Sequence, residues 1–104
     1  MSDKAFGEIV SHFNGREGIT LGTGFGANPG LRVDGKIFAM LNSGELVVKL
    51  PRERVDALVH DGWGKHFRPR AGRAMKEWAA VTPQHHAEWP ELADEAFAFV
   101  SGTQ

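Results

Sequence analysis

The densest set of side chains able to do chemistry lies between residues 65 and 76, where Lys65, Arg68, Arg70, Arg73 and Lys76 surround two bends marked by Pro69 and Gly72. Trp63, Phe67 and Trp78 flank them. Permanent cations neutralise phosphates, and interleaved aromatic rings offer faces for bases to stack on, so this segment suits contact with nucleic acid. The same residues would form an ordinary charged connector if the arginines paired with the acidic segment that follows.

Other candidate chemistry is weaker. The histidines are His12, His60, His66, His85 and His86. None falls in an HExxH or comparable ligand spacing, so surface histidines are expected and no metal is assigned. Ser2, Ser11, Ser43 and Ser101 lack the nucleophile elbow that activates a serine hydrolase. Residues 22–27 formally fit a dinucleotide-binding glycine pattern. That pattern must open a helix whose N-terminus holds the pyrophosphate, and here Asn28-Pro29-Gly30 and a strand pattern follow. No cofactor is therefore implied, and the chain is expected not to be an enzyme. A small-ligand or enzymatic site near the glycine-rich segment 15–30 is the least favoured alternative.

Composition sets the frame for these residues. A chain of 104 residues suits one domain, taken as 1–104, with a single core. It has no cysteine, which excludes disulfides and thiolate metal sites. No apolar run reaches the ~20 residues that span a bilayer. The first residues lack the basic-then-apolar pattern of a signal peptide. A cytoplasmic protein without a membrane partner is expected. The formal net charge of −1 hides an asymmetry: residues 49–76 carry net +5 and residues 77–104 net −5. These segments either neutralise each other or form two faces of opposite potential.

The elements that must position these residues follow from period and punctuation. Ala5, Phe6, Ile9, Val10 and Phe13 repeat at helical spacing and predict a helix over 3–14, ended by Asn14-Gly15. Segment 15–30 holds six glycines and only a short strand candidate at 19–21. Strands at 31–33 and 36–41 flank Asp34-Gly35, a strong hairpin signal. Asn42-Ser43-Gly44 turns the chain into a strand at 45–50. Pro51 opens a helix with Val55, Leu58 and Val59 on its apolar stripe, and Gly62 stops it. A short strand at 66–68, a strand at 74–81 and a closing helix carrying Trp89, Leu92, Ala93, Ala96, Phe97 and Val100 complete the chain.

Alternation along the meander puts Ile37, Ala39 and Leu41 on one face of the sheet and Phe38 and Met40 on the other. Val47 is also apolar on the side away from Leu46 and Val48. Helices can cover one face. Phe38, Met40 and Val47 are therefore the candidate interface residues of the second, where the glycine-rich loop, a second copy or a protein partner would sit.

The pieces Phe25-Gly26, Pro29, Leu31, Val33, residues 35–41 (GKIFAML), residues 44–51 (GELVVKLP), Arg54-Val55, Leu58-Val59 and residues 75–78 (MKEW) resemble the TfoX N-terminal / YjbR (MmcQ) superfamily. The resemblance covers roughly residues 20–100. It implies a small α+β domain of α-β-β-β-α-β-α order, an antiparallel meander with helices on one face, similar to the secretion-chaperone-like fold. Members are often labelled DNA-binding or linked to competence regulation. The resemblance supplies no catalytic residue. The functional expectation is a non-enzymatic interaction module that self-associates or binds a protein partner. The alternative is a DNA-binding accessory protein using Lys65, Arg68, Arg70, Arg73 and Lys76.

Overall fold

The computed structural model describes residues 2–23, 29–68 and 75–102. Helix α1 (Ser2–Phe13) precedes strands β1 (Ile19–Thr23), β2 (Pro29–Val33), β3 (Lys36–Asn42) and β4 (Glu45–Lys49). Helix α2 (Arg52–His60), strands β5 (Gly64–Phe67) and β6 (Met75–Val81), a 3₁₀ turn (Pro83–Glu88) and α3 (Trp89–Ser101) follow. The class is α+β. All strand pairings are antiparallel and run β1-β2-β3-β4-β6-β5 across the sheet. The element order matches the sequence expectation, with the short strands at 19–23 and 64–67 forming the two edges.

Local chemistry fixes the corners. Asp34 (φ 51°) and Gly35 (φ 83°) make the tight turn between β2 and β3, and Ser43 (φ 53°) and Gly44 (φ 80°) make that between β3 and β4. Both central residues of such turns need positive φ, which matches the twist of the strands they join. At the end of α2 the Trp63 amide donates to the Leu58 carbonyl (3.0 Å) and the Gly62 amide to Val59 (3.1 Å). This paired arrangement requires a left-handed residue just past the helix, and Gly62 supplies it.

Strand β6 is built from alanine, methionine, lysine and glutamate, which favour helix. Its place between β4 and β5 overrides that preference. Leu46, Val47, Val48 and Lys49 of β4 pair with Val81, Ala80, Ala79 and Trp78.

The main core lies between the sheet and the three helices. Phe6, Ile9 and Phe13 of α1, Val55 and Leu58 of α2, and Trp89, Leu92, Ala93 and Ala96 of α3 pack on Leu31, Val33, Phe38, Ala39, Leu41, Leu46, Val48, Ala79 and Val81. The Phe13 and Phe38 rings meet edge-on at 5.1 Å, and both reach Phe97 at 5.6 Å.

The sheet corrects the assignment of Phe38, Met40 and Val47 to an open face. In the β2–β3 pairing Leu31 faces Ala39 but Arg32 faces Ile37, so Phe38 is an extra residue on β3. Such a bulge puts two consecutive side chains on one side. Phe38 consequently joins Ala39 in the helix-side core, and Ile37 moves to the other face. Met40 and Val47 do lie on that second face, packed with Phe67, Trp78 and Ala80 and with Ile37 against them. All three expected interface residues are 0 % exposed in the single chain. Large side chains of β5 and β6 close this face locally, so it offers no apolar patch at those positions.

Candidate functional site

Antiparallel register decides which cations meet. Residues 36, 49 and 76 all lie at one end of the sheet: Lys36 opens β3, Lys49 ends β4 opposite Trp78, and Lys76 is the second residue of β6. Arg32 is the second-last residue of β2, opposite Ile37, and Arg52 opens α2 directly after Pro51. Two open depressions of about 430 Å³ and 500 Å³ share Lys49, Glu77 and Trp78. Arg32, Lys36, Ile37, Phe99 and Val100 complete the first, and Arg52 and Lys76 the second. Five elements thus bring five cations around one tryptophan, with Glu77 the only acid lining either depression among the described residues.

Trp78 anchors the group. Its ring is nearly buried, and Lys49 Nζ sits 5.8 Å from the ring centroid, in reach of a cation–π attraction. The lysine is half-buried. Lys36, Arg52 and Lys76 are exposed. Among the described residues none of these three takes part in an ion pair.

Two acids of α3, Asp94 and Glu95, are engaged elsewhere. Asp94 of α3 accepts from His12 (3.0 Å), in the last turn of α1, and lies 3.6 Å from Arg16, just past that helix. Arg16 also lies over the rings of Phe13 (4.6 Å) and Phe97 (5.2 Å), closing the corner between α1 and α3. Glu95 accepts two hydrogen bonds from Arg54 of α2, at 2.9 and 3.1 Å. That hydrogen bond, together with the Glu95 charge, raises the Arg54 pKa above its ordinary value against the opposing effect of burial. Arg54 therefore stays charged at any pH the fold survives. Its contribution is complete below the unfolded pKa and is lost only in strong alkali.

The basic segment expected from the sequence is divided. Lys65 sits near the opposite end of the sheet, 3.6 Å from Glu45. Arg68 follows β5 and lines a separate depression with Lys65, Phe67, Val47 and Ala80. Lys76 alone joins the cluster around Trp78. Arg70 and Arg73 lie outside the described residues. In place of these, the structure adds Arg32, Lys36, Lys49 and Arg52. Counting from the two-residue turn at 43–44 sets position 36 against position 51, which leaves Lys36 and Lys49 near each other at one end of the hairpin. Arg52 and Lys76 require the β4–β6 pairing, which has no local signal.

The remaining candidates are dispersed. His66 bonds Asp56 (3.1 Å), His85 stacks on Trp63 at 4.4 Å with Glu88 at 3.6 Å, and His12 bonds Asp94. Among the described residues no three histidine or acidic side chains come together as a metal site. Ser43 donates to Asn42 Oδ1 and Ser101 to the Ala98 carbonyl. Within the glycine pattern Gly22 belongs to β1, residues 24–28 lie outside the described residues, and the element that follows is β2, a strand. No helix among the described residues is long and apolar enough to cross a membrane. Comparison of the chain with protein-family models, with curated proteins and with solved structures finds no match.

Proposed function

We propose that this chain is a non-enzymatic, cytoplasmic nucleic-acid-binding domain related to the TfoX N-terminal / YjbR superfamily. It engages the phosphate backbone through the end of its sheet. One observation carries the proposal: Lys36, Lys49, Arg52 and Lys76, drawn from four elements, meet around Trp78 while Asp94 and Glu95 of α3 are paired with His12, Arg16 and Arg54. Cations outside any ion pair, as Lys36, Arg52 and Lys76 are among the described residues, keep their charge for an external polyanion, and phosphate contacts release condensed counterions on binding. Trp78 is too buried to stack on a base. The contact is therefore one of backbone charge, which is tolerant of sequence. The depressions are open, which suits a polymer lying across them better than an enclosed small molecule.

Fluorescence anisotropy of a labelled duplex, titrated from low to physiological salt, tests the proposal. Lys36→Ala, Arg52→Ala and Lys76→Ala together should abolish micromolar binding at low salt. Singly, each should flatten the slope of log affinity against log salt by about 0.9. Arg68→Ala, Arg70→Ala and Arg73→Ala together form a second arm and should weaken binding less. Absence of binding at low salt, or binding that survives the first triple substitution, would refute the assignment.

A further inference from the structure

We infer that the chain pairs with a second copy of itself through the outer edge of β1, continuing the sheet across a two-fold axis. The two edges of the sheet are built differently. Strand β5 has four residues, presents exposed Lys65, and ties His66 back to Asp56 of α2. A short edge strand bearing a lysine discourages further pairing. Strand β1 has no such guard. Ile19–Thr23 contains no charge and no proline. Leu21 is 62 % exposed, the one large apolar side chain so exposed among the described residues. A Cβ placed on Gly22 would meet nothing within 4 Å, so no described residue overlies that face of the strand.

The ladder shows which groups face that space. The Asp34 amide donates to the Gly18 carbonyl at 2.9 Å, and Thr20 and Gly22 lie opposite Arg32 and Gly30 in the regular register that follows. Bonded positions alternate in an antiparallel pair, so Thr20 and Gly22 bond to β2 and the N–H and C=O of Leu21 point outward. An edge of this parity is complementary to itself. With the axis through Leu21, the two Leu21 residues exchange both hydrogen bonds, and each Ile19 lies opposite Thr23 of the other copy. The two exposed leucine side chains meet, and no charges are opposed within the strand. The alternative joining of β1 to the β5 edge of another copy would propagate without closing, and Lys65 stands in its way. The two-fold axis is perpendicular to the sheet, so both helix layers fall on one side and both helix-free faces on the other.

Light scattering on the purified chain, without nucleic acid, separates this inference from the function proposed above. The expected mass is twice 11.4 kDa, and Leu21→Lys, which sets two cations against each other, should return it to the single-chain value with unchanged circular dichroism. A thiol test covers the case in which that variant fails to fold. The chain has no cysteine, so Leu21→Cys adds one thiol. Directly opposed bonded residues have Cα atoms about 5.5 Å apart, within the ~4.4–6.8 Å a disulfide spans. Mild oxidation should give a covalent dimer that reductant reverses, whereas Glu8→Cys on the exposed face of α1 should give none. A wild-type mass of 11.4 kDa, a dimer that persists in Leu21→Lys, or equal crosslinking of the two cysteine variants would each overturn the inference.

Discussion

Gly64, the first residue of β5, has no room for a side chain, because a Cβ there would collide with the carbonyl oxygen of Ala80 on the neighbouring strand. The obstacle is backbone and cannot swing aside. Gly64→Ala should therefore destabilise the fold by about 2 kcal/mol, at the middle of the ~1–3 kcal/mol range for overpacking. Gly7, on the exposed side of α1, is the opposite case: a Cβ there meets nothing within 4 Å. Gly7→Ala relieves the helix of its least favourable ordinary residue and should stabilise by about 0.8 kcal/mol. Urea denaturation of the two variants beside the parent checks both signs in one experiment. Two glycine-to-alanine changes of the same sign would show that the close approach of β5 to β6 is not as described. Composition makes these glycines look alike, since the difference lies in what the fold brings against each.

Phe38 shows at the scale of an element what sequence can and cannot carry. The two turns and the stop of α2 were legible because positive φ at Gly35, Gly44 and Gly62 is a local requirement, met by residues that tolerate it. The core faces of α1 and α3 were legible because a helix repeats its buried side chains at a fixed spacing. The bulge in β3 is different. It has no local sequence signal, and it puts Phe38, an expected interface residue, in the core. If Phe38 served a partner, its loss would cost the single chain little. Packed between Phe13 and Phe97, Phe38→Ala should instead cost about 3–5 kcal/mol. Chemical denaturation of Leu21→Lys and of the double variant would isolate this loss from self-association. A cost below ~1 kcal/mol would return Phe38 to the surface. The candidate site was legible to the same partial degree. Counting along the hairpin brings Lys36 near Lys49, but Lys76 reaches them only through β4–β6 pairing, and Lys65, from the same basic segment, ends up beside Glu45.

The charge asymmetry of the chain resolves at the scale of the whole molecule into two separate tasks. The acids of α3 hold helices together: Asp94 joins α3 to α1, and Glu95 joins it to α2. At the sheet end Lys36, Arg52 and Lys76 take part in no ion pair among the described residues. The two groups should therefore dissociate under mutation. Asp94→Asn with Glu95→Gln removes three exposed or half-exposed contacts, each worth ~0.2–1 kcal/mol, so the pair should lower stability by about 1 kcal/mol. Duplex affinity at a given salt should be unchanged, because neither acid lies in the depressions around Trp78. Lys36→Ala, Arg52→Ala and Lys76→Ala should do the reverse: the midpoint of thermal unfolding stays put, since exposed side chains without partners change stability by only ~0.5 kcal/mol, and binding disappears. Measuring unfolding and anisotropy on the same two proteins gives four numbers. If the acid variant bound duplex much more tightly, α3 would be screening the basic end at long range. If the cation variant unfolded early, those cations would be structural. Either result would mean that the opposite charges of residues 49–76 and 77–104 serve one another, and the separation of binding from stability would fail.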